Sequence, residues 1–99
     1  MRLSQRQAET IRQTAQEVFG DNAQVWLFGS RTDDSAKGGD IDLYVESLIP
    51  IESTVAKISR MHALLQTRLG EQKIDLLSWS PGQMRLPIHD QARLTGIKL

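Results

Sequence analysis

The sequence predicts one small domain of the mixed α/β class, in which helices pack against a sheet of three strands or slightly more. Three segments carry apolar residues at helical spacing, and three others are short β-prone apolar runs. The two kinds follow one another in the order α-β-β-α-β-α, which favours a layered arrangement. At 99 residues, with 39% apolar and 24% charged content, the whole chain (1–99) is expected to form one domain.

The first helix is predicted over residues 3–19, where apolar residues fall along one stripe. Ser4 and Gln7 fit a capping box at its start, and Gly20 fits the position just past its last residue. The first strand is predicted over 25–28. Because its four residues are all apolar, we expect it to be buried on both faces.

The second strand is predicted over 41–45, after a loop over 29–39 that is rich in Gly, Ser, Thr, Asp and Lys. We expect the first two strands, which this loop joins, to pair antiparallel. The second helix is predicted over 51–69, because apolar residues alternate there by four and three and Gly70 follows as a stop.

The third strand is predicted over 73–79, and Pro87 fits the first turn of a final helix over 87–94 that ends near Gly96. The second helix lies between the second and third strands. These two strands are therefore expected to be parallel neighbours joined by a right-handed crossover.

Composition limits the classes of partner. Twelve basic and twelve acidic residues give a formal net charge of zero, so bulk charge does not predict binding to nucleic acid or to an anionic membrane. The chain has no cysteine, which excludes disulfides and cysteine-ligated metals. No apolar run approaches the ~20 residues of a membrane span, and no signal-peptide pattern opens the chain, so we expect a cytoplasmic protein.

Two carboxylates interrupt the second strand in "GDIDLYV". Side chains alternate along a strand, so Asp40 and Asp42 are expected on one face, with Ile41 and Leu43 on the other. Like charges this close repel each other and raise at least one carboxyl pKa. A divalent cation is the natural compensation, and Mg²⁺ in particular takes one or two carboxylates together with water and phosphate oxygens.

Asp75 lies in the third predicted strand, between apolar residues, and joins the same face if that strand is next to the second. Acids on adjacent strands suit two metal ions ~4 Å apart, the arrangement used for in-line phosphoryl or nucleotidyl displacement. We therefore predict that Asp40, Asp42 and Asp75 are catalytic metal ligands. Asp75 is also a candidate to accept the proton of the attacking hydroxyl.

The turn after the first strand is a candidate phosphate site. Gly29 allows the backbone to approach a bulky anion, and backbone N–H groups with the Ser30 hydroxyl can bind its oxygens. Arg31 can add positive charge to the same anion.

The stretch "LFGSRTDDSAKGGDIDLYV" resembles the signature of the nucleotidyltransferase superfamily, which includes polymerase beta. Phe28, Gly29 and Ser30 form its first part, nine residues intervene, and the acidic pattern at 40–43 completes it. Asp75 lies where the family's third acid is expected, on the strand after the next helix.

The short length is similar to that of the minimal nucleotidyltransferases, the stand-alone catalytic modules of this superfamily. The resemblance implies two Mg²⁺ ions, ATP or another nucleoside triphosphate as substrate, and transfer of AMP to a tyrosine of a small helical HEPN-type toxin, for which the chain acts as antitoxin. The chain departs from the family pattern at Thr32, Asp33, Asp34 and Gly39, and the two extra acids are expected to face solvent or to weaken triphosphate binding.

Two alternatives stay open. The chain can be a non-catalytic subunit that neutralises its partner by contact alone, or a nucleotidyltransferase that acts on a small molecule or RNA. Among the remaining residues, Glu46 is not expected near the metal, His89 is expected at the surface, and Trp26 and Trp79 are expected to anchor the core.

Overall fold

The computed structural model describes residues 3–29 and 40–99. The predicted order of helices and strands is confirmed, and a fourth short strand follows the last helix. The elements are α1 (Gln5–Phe19), β1 (Ala23–Phe28), β2 (Ile41–Ser47), α2 (Thr54–Leu69), β3 (Ile74–Trp79), α3 (Pro87–Thr95) and β4 (Ile97–Lys98).

The four strands form one mixed sheet in the order β3-β2-β1-β4. β1 pairs antiparallel with β2, and β2 pairs parallel with β3, as the sequence predicts. The register places Asp42 opposite Phe28 on one side and opposite Asp75 on the other. The polar interruptions of two separate strands are therefore neighbours in the sheet.

α1 begins at the predicted capping box. The Gln7 N–H donates to the Ser4 hydroxyl at 3.0 Å, and the Ser4 N–H donates to the Gln7 side-chain oxygen at 2.9 Å. α1 and α2 cover one face of the sheet and enclose the main core. The fully buried members of this core are Ile11, Ala15, Leu27, Ile41, Leu43, Met61 and Leu65.

α3 covers the opposite face of the sheet, where a second apolar cluster contains Trp26, Tyr44 and Ala92. Side chains of β2 alternate between the two faces. Because Leu43 belongs to the main core and Tyr44 to the cluster under α3, Asp42 and Glu46 share the α3 face with Tyr44. None of the helices that the structure describes is both long and apolar enough to span a membrane.

The predicted start of α2 at residue 51 is three residues too early. The helix begins at Thr54, after Ser53 in the left-handed conformation with φ 54°. Ile51 still packs against the main core, although it lies before the helix. The helical spacing of apolar residues therefore begins one turn before the helix itself.

β4 is absent from the sequence prediction because it has only two residues. It follows Gly96, where a Cβ atom would lie 3.0 Å from the Leu27 carbonyl oxygen. Glycine therefore lets the chain turn closely against β1, and the Leu99 N–H then donates to the Val25 carbonyl at 2.9 Å.

Candidate active site

Asp42 and Asp75 form the centre of the candidate site. Both are near the N-terminal ends of parallel strands, in direct register. The pKa of Asp42 is raised, first by burial and then by the charge of Asp75 and a hydrogen bond with its carboxyl group. The fold thus brings two acidic side chains into contact at the N-terminal ends of β2 and β3, on the α3 face of the sheet, as the sequence predicts.

Asp40 lies just before β2, and its charge also raises the pKa of Asp42, although less than Asp75 does. Its own carboxylate contacts Lys73, with 3.3 Å between Asp40 Oδ2 and Lys73 Nζ. The hydrogen bond with Asp40 is the main reason that the pKa of Lys73 is raised. The third predicted acid is therefore close to the other two but has a lysine partner.

Lys73 was not among the predicted site residues, although its position follows from the register. Ile41 is opposite Ile74 in the parallel pair, so the residues one step earlier, Asp40 and Lys73, enter the sheet together. The acids at positions 40, 42 and 75 therefore share the same end of the two strands with one lysine.

Gly29 directly follows β1, has φ 77° and lies against Asp42 on the side away from Asp75. A Cβ atom at this position would collide with Asp42 Oδ2. Glycine is thus required twice, for its positive φ and for the close approach of the carboxylate. The predicted phosphate contacts Ser30 and Arg31 lie outside the described residues, as do Asp33 and Asp34.

Metal binding depends on the acidic pair. Across residues 3–29 and 40–99, no group of three or more His, Asp or Glu side chains is arranged to hold a metal ion. Mg²⁺ needs no such group, because it typically binds one or two carboxylates and completes its shell with water and substrate phosphates. Asp42 and Asp75, whose contact raises the pKa of Asp42, fit that requirement in ligand type and number.

A cleft of about 350 Å³ adjoins this site between the end of β1 and α3. Its size falls within the range of small-molecule sites. Apolar and polar side chains both line it. None of its residues from α3 was predicted as a site residue from the sequence. The lining residues are Phe28, Gly29, Ile88, Gln91, Ala92 and Thr95.

At the far end of β2, Glu46 is 4% exposed and fully paired. Arg85 Nη1 donates to Oε1 at 2.6 Å, Tyr44 donates its hydroxyl to the same oxygen at 2.7 Å, and Arg93 donates to Oε2 at 3.2 Å. Burial raises the pKa of Glu46, but the hydrogen bonds from Tyr44 and Arg85 and the charge of Arg93 outweigh burial and lower it. We call this group the Glu46 cluster.

Arg85 joins the Glu46 cluster to the segment before α3. Its guanidinium lies 4.8 Å from the centre of the Trp79 ring and donates to Asp90 at 2.9 Å. Residues from two strands and from α3 are therefore fixed around one arginine. Trp26 is buried, in agreement with its predicted role as a core anchor, whereas Trp79 is only partly buried.

The predicted surface position of His89 is wrong. His89 and Ala92 form the buried face of α3, and His89 is 1% exposed. Its Nδ1 accepts a hydrogen bond from the Leu86 N–H at 2.9 Å. Burial, aided by the charge of Arg85, lowers the pKa of His89 and favours the neutral ring. The spacing of three residues between His89 and Ala92 puts them on one face of a helix, and this spacing could have predicted that both are buried.

No model of a known protein family matches the chain, and no curated protein matches it.

Proposed function

We propose that the protein is a Mg²⁺-dependent nucleotidyltransferase that transfers AMP from ATP to a hydroxyl acceptor. The single observation that supports this most strongly is the contact between Asp42 and Asp75 beside Gly29. The charges of Asp75 and Asp40 both raise the pKa of Asp42, and Lys73 offsets them only in part, which supports a positively charged ligand between the carboxylates.

In the proposed reaction, the acceptor oxygen attacks the α-phosphorus of ATP. A new bond from this oxygen to phosphorus forms, the bond to the bridging oxygen breaks, and pyrophosphate leaves. Asp75 accepts the proton of the acceptor hydroxyl, since its side chain is exposed whereas Asp42 is partly buried. When bound, Mg²⁺ supplies charge neutralisation for the triphosphate and for the attacking oxygen. Asp42 and Asp75 are the residues that would hold it.

The cleft beside Gly29 suits the nucleoside part of the substrate. Phe28 and Ile88 offer apolar surface for a base, while Gln91 and Thr95 offer hydrogen-bonding groups. Gly29 belongs to both the cleft and the acidic site, so a nucleotide in the cleft would place its phosphates near the carboxylates.

For the acceptor, we propose a tyrosine of a HEPN-type partner, which would make the protein an antitoxin. This part rests on the resemblance to minimal nucleotidyltransferases. An RNA or small-molecule acceptor is the variant within the same reaction class.

The test uses ATP labelled at the α-phosphate, Mg²⁺ and a co-encoded helical partner. We expect label on the partner, and we expect Asp42→Asn to reduce the rate by about 100-fold or more, as groups that act directly in such reactions often do. Asp21→Asn, at an exposed aspartate in the turn after α1, is the matched control. An unlabelled partner whose neutralisation survives Asp42→Asn contradicts the proposal.

A second candidate is a subunit that neutralises its partner by contact alone. The Lys73 contact with Asp40 favours it, because one of the three acids already has a cation. A binder of this kind inhibits its partner equally well in EDTA and after Asp42→Asn. Its melting temperature is also unchanged by ATP with Mg²⁺, since only a ligand that prefers the native state stabilises it.

A further inference from the structure

The two edges of the sheet differ in length and in protection. β4 has two residues and ends in Lys98, whereas β3 has six residues with neither lysine nor proline among them. Short edge strands and edge lysines are common ways of preventing strand pairing between molecules. Within the described part of the chain, no strand pairs with β3 on its outer side.

The pattern of hydrogen bonds between β2 and β3 shows which backbone groups of β3 point away from β2. The Ile41 N–H donates to the Lys73 carbonyl at 3.1 Å, and alternate residues of a parallel strand face the same neighbour. It follows that Asp75 and Leu77 direct their backbone groups towards β2, while Ile74 and Leu76 direct theirs outward. Among the described residues, none pairs with the outward backbone groups of Leu76.

A groove of about 640 Å³ runs along this open edge. Leu76, Leu77 and Ser78 all line it, although consecutive side chains point to opposite faces, so the groove lies against the strand's edge. One wall comes from Ile51, which lies just before α2, and from Val55 and Ile58 of α2, and Val55 is 80% exposed. None of the residues that line the groove is charged.

We propose that a second copy of this chain occupies the groove, with β3 paired antiparallel to β3 of that copy around Leu76. A two-fold interface must complement itself, and this register does so. Leu76 meets its own equivalent and Asp75 meets Leu77, so no like charges are opposite. Ile74 meets Ser78 at the ends of the paired stretch, where Gln83 Nε2 already donates to the Ser78 carbonyl at 3.2 Å, so the pairing is centred on Leu76.

The helices support the same occupant. In this arrangement the apolar wall of α2 in each copy extends over the β3 edge of the other, which covers Val55. In a dimer, the uncharged lining of one copy faces the same uncharged lining of the other. A charged partner segment would lose its hydration in this groove without gaining a compensating charge. The observations that carry this inference do not depend on the proposed enzymatic activity, although Asp75 lies within the paired stretch.

The first test measures molecular mass by sedimentation equilibrium from about 1 to 200 µM, a range that resolves micromolar association. We expect the mass to double with rising concentration. Val55→Glu places like charges at the interface and should raise the dissociation constant by about tenfold or more. Leu94→Glu is the matched control, because Leu94 is 83% exposed on α3, on the other face of the sheet. It should leave the dimer intact.

The second test follows hydrogen exchange at the Leu76 amide. Its exchange should slow as the dimer forms and should stay fast in Val55→Glu, whose exposed side chain leaves the monomer fold unchanged. A protein that is monomeric throughout the range overturns the proposal, because the edge then serves another occupant. A dimer that survives Val55→Glu, or that forms without protecting Leu76, also overturns it, because the copies then meet elsewhere.

Discussion

At one end of β2, Asp42 lies against Asp75 and near Asp40, and the fold raises its pKa. At the other end, Glu46 is buried on the same face of the sheet, and the Glu46 cluster lowers its pKa. The two carboxylates are four residues apart, about 13 Å along a strand. Glu46 has a complete set of protein partners, whereas Lys73 offsets the repulsion at Asp42 only in part, and a ligand can supply the rest. Acidity within a strand therefore marks a candidate site only where the fold leaves the charge unbalanced.

The largest stability effect is expected at the Glu46 cluster. Glu46→Ala leaves Arg85 and Tyr44 without their shared acceptor, and breaking a buried pair of this kind typically costs about 3 kcal/mol or more. Urea denaturation measures the change in the free energy of unfolding. A loss below about 1 kcal/mol, as for an exposed pair, would mean that the cluster does not fix α3 to the sheet.

Gly29→Ala should destabilise the protein by about 2 kcal/mol or more, because it combines a positive φ with a collision at Asp42. Gly70→Ala is the control, since Gly70 has φ 86° but nothing within 4 Å of its missing Cβ. The excess of the first loss over the second measures the collision. Equal losses in chemical denaturation would show that Asp42 does not lie against Gly29.

Without metal or nucleotide, Asp42→Asn should stabilise the fold by about 1 kcal/mol, because it removes a partly buried charge beside Asp75. The melting temperature in EDTA provides the measurement. A clear decrease would identify Asp42 as a satisfied structural carboxylate of the same kind as Glu46.

The two carboxylates should also affect the pH dependence of stability with opposite signs. The raised pKa of Asp42 gives stability that is present at low pH and is lost as pH rises through the folded-state pKa. The lowered pKa of Glu46 gives stability that is present above about pH 4.3 and is lost as pH falls through the folded-state pKa.

Unfolding free energies of wild type, Asp42→Asn and Glu46→Gln from pH 3 to 7 separate these contributions. The advantage of Asp42→Asn should grow with pH, and the deficit of Glu46→Gln should shrink as pH falls. Parallel curves for all three proteins would contradict the difference between the two ends of β2.

The smallest effect is expected for Asp40→Asn. Its carboxylate forms an exposed pair with Lys73, and such pairs contribute about 0–1 kcal/mol, while the removal of repulsion with Asp42 acts in the opposite direction. We expect a change within about 0.5 kcal/mol by thermal denaturation. A larger loss would make Asp40 part of the structural framework.

The sequence predicted the element order because hydrophobic periodicity is a local signal. It predicted the strand pairing and the meeting of Asp42 with Asp75 because the crossover through α2 places β2 and β3 side by side. It missed the contact between Lys73 and Asp40, and it missed the arginine partners of Glu46. The Lys73 contact depends on the register between β2 and β3. The arginine contacts join residues up to 47 positions apart, and they depend on how α3 and the segment before it pack against the sheet. β4 was missed because two residues carry no period.

The most direct test of the central claim is a calorimetric titration of Mg²⁺ into the protein with a non-hydrolysable ATP analogue. Saturable uptake is expected for wild type and for the control Asp21→Asn, with loss of uptake in Asp42→Asn and Asp75→Asn. Uptake that is absent in wild type, or that persists after both of these substitutions, would contradict the assignment of the acidic pair as a metal–nucleotide site.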